Sequence, residues 1–95
     1  MAALHLLICG RVQGVAFRWS MCEAAREHGA RGWVRNRRDG CVEAVVDGDD
    51  AAIAAMLRWA RHGPRTARVE RVDTRAATGA EAAMIGGGFE PLPDA

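Results

Sequence analysis

The chain has 95 residues, 49% of them apolar, which sets the scale of one compact domain and leaves no room for a second core. A chain of this size buries roughly two-thirds of the surface its unfolded form exposes, so a modest core is reachable without disulfides or a structural metal. The net charge is +1 and every basic residue is arginine, a balance too even to draw nucleic acid or an acidic membrane by bulk attraction, so any anion must be bound locally.

Leu4, Leu6 and Ile8 alternate with His5, Leu7 and Cys9 up to Gly10, a period of two that predicts a first strand covered on both faces. From Arg18 to His28 the apolar positions Phe17, Met21, Ala24, Ala25 and His28 recur at helical intervals, and Gly29 can end that helix in a left-handed cap. Arg31 to Asn36 and Cys41 to Asp47 are β-rich segments separated by Arg37-Arg38-Asp39-Gly40, whose Asp-Gly pair suits a tight hairpin, so the two strands are expected to pair antiparallel.

Asp49 or Asp50 can cap a second helix with the stripe Ile53, Met56, Leu57 and Ala60, ended by Gly63-Pro64. Ala67 to Arg75 follows, with Val69 and Val72 at an odd spacing that predicts a bulge or a strong twist, and Ile85 to Phe89 is expected to form a last short strand. The loosely structured candidates are Ala76 to Ala83 and the Pro91 to Ala95 tail. The order β-α-β-β-α-β predicts an α+β sandwich of the ferredoxin-like kind, a four-stranded antiparallel sheet with both helices on one face, within a single domain over residues 1–95. That arrangement serves many activities, so the function has to be argued from a site.

The most unusual segment is Gly10-Arg11-Val12-Gln13-Gly14-Val15-Ala16-Phe17-Arg18, which joins the first strand to the first helix. Its glycines let backbone N–H groups turn inward, and a helix N-terminus adds unpaired donors and partial positive charge, together a concavity suited to a phosphate-sized oxyanion. Arg18 lies at the positive end of that helix, where a cation is disfavoured by a few tenths to about 1 kcal/mol. A planar fork gripping two phosphoryl oxygens would account for it, and so would a surface arginine that is solvated or paired with Glu23. The G-x-x-x-x-G-K-[ST] pattern fails for want of a lysine and G-x-G-x-x-G is absent after the first strand, which argues against mononucleotide binding.

A second group is Gly32-Trp33-Val34-Arg35-Asn36, leading into Asp39-Gly40 and Val42. An asparagine both donates to and accepts from water, so Asn36 could hold a nucleophile in line; it is equally a common turn former.

Taken together, the G-R-V-Q-G-V-x-F-R loop and the G-W-V-x-N segment followed by D-G-x-V resemble the acylphosphatase family. The likeness runs from about Leu6 to Val72 and includes Gly63-Pro64 and the V-x-x-V strand at Val69 to Val72. It implies a ferredoxin-like domain in which the backbone amides of Gln13, Gly14, Val15, Ala16, Phe17 and Arg18, with the Arg18 guanidinium, bind phosphate while Asn36 positions the attacking water. The implied reaction is hydrolysis of small acyl phosphates to carboxylate and inorganic phosphate, with no metal, no cofactor and no covalent intermediate. Acyl phosphates are activated, so orientation and charge stabilisation can suffice without a strong base. The chain departs from the family at its end, where Phe89-Glu90 runs into Pro91-Leu92-Pro93; proline cannot donate to a ladder, so the last strand should be short or at an edge. The stretch from Ala80 to Gly88, with three consecutive glycines, reads as loose.

The remaining candidates read more plainly. Cys9, Cys22 and Cys41 are an odd set without a close pair, expected to be reduced thiols, with Cys41 the more exposed. Together with an N-terminal apolar run of only six residues, Leu4 to Cys9, they place the protein in the cytoplasm with no membrane span. His5, His28 and His62 match no metal-ligand spacing and are expected at the surface or at helix ends. Trp19, Trp33 and Trp59 are expected to pack rather than to stack bases, since the aromatic run of an RNA-recognition sheet is missing. Arg35, Arg37 and Arg38 crowd the hairpin and either concentrate anionic substrate or line a solvated rim. No coiled-coil seam is present, and a monomer is the simplest expectation.

Overall fold

The computed structural model describes residues 3–95. Along the chain run β1 (Leu4–Arg11), α1 (Phe17–His28), β2 (Arg31–Asn36), β3 (Val42–Asp47), α2 (Asp50–His62), β4 (Arg68–Ala76), α3 (Gly79–Ala83) and β5 (Phe89–Pro91). The strands form one sheet in the order β4-β1-β3-β2-β5. Three of its pairings are antiparallel, and β5 lies parallel to β2. The sheet is therefore five-stranded and mixed rather than four-stranded and antiparallel, within the ferredoxin-like arrangement that the element order predicts.

One face carries the main core. Leu6 and Ile8 of β1, Val34 of β2, and Val42, Ala44 and Val46 of β3 point to the same side and pack against Phe17, Met21 and Ala25 of α1 and Ala52, Met56 and Ala60 of α2. Their alternation in sequence follows from the strand period of two, and the helical stripes supply the other half. Both helices close as their flanking residues predict: Gly29 ends α1 in the left-handed region, and the Asp49 carboxylate accepts from the Ala52 N–H at 2.8 Å at the start of α2.

The odd spacing of Val69 and Val72 has a clear origin. The β1–β4 register shifts between Cys9, opposite Arg71, and Gly10, opposite Val69, so Glu70 is the extra residue of a bulge and both valines reach the core face. Gly10 allows this, because a Cβ there would run into the Arg68 carbonyl oxygen.

The opposite face is covered differently from what the sequence suggests. Residues read as loose contain α3, opened by a capping box in which the Thr78 hydroxyl accepts from the Glu81 N–H and the Glu81 carboxylate accepts from the Thr78 N–H. Ile85 is not strand but packs with Ala82, Ala77 and Leu92 over Trp33 and Val45, and the Trp33 indole donates to the Glu81 carbonyl at 3.0 Å. The last strand begins only at Phe89, which is fully buried, an anchor worth about 1.5–3 kcal/mol. It is short and lies at the sheet edge, as the prolines require. The tail beyond it is not regular strand, yet Leu92 donates to the Val34 carbonyl and Ala95 to the Asn36 carbonyl, both at 2.9 Å, so it follows β2.

His5 is not a surface residue. It is buried beside Glu43, its Nε2 donating to that carboxylate at 2.8 Å and lying 3.8 Å from Glu81. Burial pushes the Glu43 carboxyl up, but the hydrogen bonds from His5 and Arg35 outweigh it and leave the pKa below the ordinary value. The bidentate Arg75 pair and the Thr78 N–H hold Glu81 lower still, at about 2. The ligand atoms of His5, Glu43 and Glu81 lie within 4.8 Å of one another, but the arginines already neutralise the carboxylates, so the cluster acts as an ionic clasp holding α3 on the sheet.

The cysteines depart most clearly from expectation. Ile8 pairs with Val42, which sets Cys9 opposite Cys41 on the same face, and the two form a disulfide with a Cα–Cα distance of 4.5 Å. Only Cys22 is a free thiol, and it is buried. Counting cysteines missed this pairing because it depends on which strands become neighbours. Denatured protein should titrate one thiol without reductant and three after reduction. With a sequence separation of 32, reduction should remove up to about 3–4 kcal/mol of stability in the chain-entropy model, read as a lower denaturant midpoint.

Candidate active site

The loop between β1 and α1 holds an unusual backbone. Ala16, the residue before the first turn of α1, has φ 60° and ψ 27°, and it is the one non-glycine residue with positive φ among the described residues. A left-handed alanine is disfavoured by roughly 1–2 kcal/mol, and such strain persists where the surroundings over-determine it. No side chain caps this helix and its first turn contains no acid. Its leading N–H groups are thus left facing the loop with the positive end of the helix dipole behind them, a ready anion site.

The loop is held in place from below. The Gln13 side-chain amide donates to the Arg37 carbonyl at 2.8 Å and to the Cys41 carbonyl at 3.0 Å, tying the loop to the turn of the β2–β3 hairpin. On the other side the Thr66 hydroxyl donates to the Val15 carbonyl at 2.8 Å. At the base, the Phe17 ring packs edge-on against Trp59 with centroids 5.2 Å apart.

These constraints bring two distant parts of the sequence together. Arg18, on the first turn of α1, and Asn36, at the end of β2, line one cavity of about 450 Å³, with Gly14, Ala16 and Phe17 also in its lining. The Arg18 guanidinium is paired, but not with Glu23: it lies 3.2 Å from Asp94 of the C-terminal tail. A carboxylate thus sits where an anionic ligand of Arg18 would bind. Both partners are well exposed, so the pair contributes at most about 1 kcal/mol and can be displaced.

Not every predicted loop residue faces this cavity. The Gln13 side chain is spent on the hairpin, and Val15 lines a second, more open hollow with Arg11, Gly14, Ala16 and Thr66. Of the three hairpin arginines, Arg35 holds Glu43 at 2.8 Å and lies over the Trp33 ring, and Arg37 holds Asp39 at 3.2 Å, which leaves Arg38 without a carboxylate within 4.0 Å among the described residues. Trp33 is buried as expected of a packing residue, whereas Trp19 is 64% exposed and lines the cavity. Sequence reasoning also missed Cys22, Arg26 and Pro91 in the cavity wall. The helical spacing of Arg18, Cys22 and Arg26 was the available signal; nothing in the sequence indicated Pro91.

Fold and site together define a small α+β domain with an arginine-lined cavity at a strand-to-helix turn. The acylphosphatase family model matches residues 4–90. An acylphosphatase of Thiobacillus denitrificans is 62% identical over 73 residues, 77% of this chain and 82% of that protein. The crystal structure of acylphosphatase from Bacillus subtilis superposes with a TM-score of 0.85 at 27% identity, covering 97% of this chain and 99% of that one. That of HypF from T. kodakarensis superposes at 0.78 with 30% identity over 97% of this chain but 12% of that one. The chain belongs to the acylphosphatase family.

Because both carbonyls that Gln13 holds also accept backbone N–H groups, from Gly40 and Arg37, Gln13→Ala should cost only about 1–2 kcal/mol of stability, two hydrogen bonds' worth. Hydrogen exchange should show the loss concentrated at residues 12–16 and 37–41.

Proposed function

We propose that this chain, as a member of the acylphosphatase family, hydrolyses the bond between a carboxyl group and phosphate. We propose that the phosphoryl group of the substrate sits on the backbone amides between Gln13 and Arg18, with its oxygens gripped by the Arg18 guanidinium, and that Asn36 holds the attacking water. The observation that supports this best is the convergence of Arg18 and Asn36, 18 positions apart in sequence, on one cavity beside an uncapped helix N-terminus.

In this reading the amides and the guanidinium neutralise the phosphoryl oxygens as the acyl oxygen departs, a stabilisation that costs no reorganisation because the loop is already held by Gln13 and Thr66. The water oxygen bonds to phosphorus, the bond from phosphorus to the acyl oxygen breaks, the carboxylate leaves, and the water proton passes to a phosphate oxygen. The Asn36 amide has the donor and the acceptor needed to fix that water without ionising. The tail carboxylate of Asp94 leaves Arg18 when the phosphoryl group arrives.

The substrate is a small acyl phosphate. We take the enzyme to be a monomer with no nucleic-acid partner, which the near-even charge supports. No described helix is long and apolar enough to cross a membrane. A cytoplasmic location belongs to the same proposal; the Cys9–Cys41 disulfide is the observation against it, since such bonds persist in oxidising compartments.

Hydrolysis of benzoyl phosphate in the presence of a chelator tests the reading. Arg18→Ala should cost at least about 10² to 10³ in turnover and weaken competitive inhibition by phosphate, whereas Asn36→Ala should lower turnover with phosphate inhibition nearly unchanged. Wild-type protein that binds phosphate but does not turn over would instead mark a non-catalytic anion-binding module. Asp94→Asn should tighten phosphate inhibition by up to about fivefold, the equivalent of a 1 kcal/mol exposed pair.

A further inference from the structure

The cavity is larger than its phosphate end requires. A volume of about 450 Å³ falls in the range of pockets that hold whole small molecules. Besides the loop, Arg18 and Asn36, its lining includes Trp19, Cys22 and Arg26 of α1. Trp19, Cys22 and Arg26 stand at i, i+3 and i+7 and so share a face of the helix, with Pro91 of β5 as the opposing wall.

The chemistry changes along that wall. Next to Arg18 comes the indole of Trp19, an exposed large apolar side chain, then the buried Cys22, and at the far end the guanidinium of Arg26. At 1.5 Å per residue the Cα atoms of Arg18 and Arg26 are about 12 Å apart, and side chains on a helix lean toward its N-terminus, which brings Arg26 toward the cavity. A base in the last turn of α1 is favoured by the helix dipole, but that preference does not require it to line the same cavity as Arg18. Arg26 has no carboxylate oxygen within 4.0 Å among the described residues, although Glu23, Glu27 and Glu90 are near in sequence or on the adjoining strand. Arg18, by contrast, has Asp94.

We propose that the trough from Trp19 to Arg26 receives the acyl half of the substrate, and that Arg26 makes the enzyme favour acyl phosphates whose acyl group ends in a second anion, a carboxylate or a phosphate. Trp19 and Pro91 flank the carbon skeleton, and the Arg26 fork pairs with the distal anion. The inference rests on the phosphoryl group lying at the Arg18 end, as proposed above.

A matched pair of substrates tests it: benzoyl phosphate and 4-carboxybenzoyl phosphate, which differ only in the distal carboxylate. Arg26→Gln should lower the ratio of kcat/KM for the carboxylated over the plain substrate by about tenfold, mainly through KM, as the loss of one charge-assisted contact predicts. Arg61→Gln, an equal change of net charge on the exposed surface of α2, should leave that ratio unaltered, which separates local recognition from general attraction. An unchanged ratio in Arg26→Gln, or an equal fall in Arg61→Gln, overturns the assignment of Arg26 while wild-type turnover of benzoyl phosphate leaves the catalytic reading standing. No wild-type turnover of either substrate overturns both.

Discussion

The Gln13 side chain, spanning from the β1–α1 loop to the carbonyls of Arg37 and Cys41, is the contact on which the site depends. The loop by itself is a strained segment with a left-handed alanine and unpaired N–H groups, and the hairpin by itself is a turn. A single amide with two donors joins them, so that an arginine from one and an asparagine from the other face the same space. The disulfide reinforces this join, since Cys41 is both a hydrogen-bond acceptor for Gln13 and the covalent partner of Cys9 at the end of β1.

The two faces of the sheet divide the labour. The helix face holds a conventional apolar core, which fixes α1 and therefore the direction of its dipole. The other face sets a small apolar cluster around Trp33 and Val45 beside an ionic group, with Glu43 shared between His5 and Arg35, and Glu81 held by Arg75 and the cap of α3. Buried ionic groups of this kind stabilise little on balance but are costly to break singly. Their visible consequence is to seat α3 and the chain that follows it, and so to lead Phe89 to Pro91 onto β2 and the tail toward Arg18.

The tail gives the site a resting occupant. An Asp94 carboxylate on Arg18 answers the electrostatic question that the sequence raises, namely what tolerates a cation at the positive end of a helix. The exposure of the pair keeps the contact weak enough to be displaced by any ligand that offers two or more oxygens to the same fork.

Much of the fold was legible because it rests on local rules. The strand period of β1, the helical stripes of α1 and α2, the Asp-Gly hairpin and even the bulge behind Val69 and Val72 are written in residue spacing, and the loop motif singled out Arg18 as the Gly32–Asn36 segment singled out Asn36. What the sequence could not settle were relations between elements. That Cys9 faces Cys41, that His5 is buried against Glu43, that β5 runs parallel to β2, that Asp94 pairs with Arg18 and that Arg26 lines the same cavity as Arg18 all depend on strand order and on which face each residue presents after packing. Sequence spacing carries periodicity and turn chemistry; proximity between residues tens of positions apart is created only when the sheet closes, and that is where this protein's ion pairs, its disulfide and the walls of its cavity were decided.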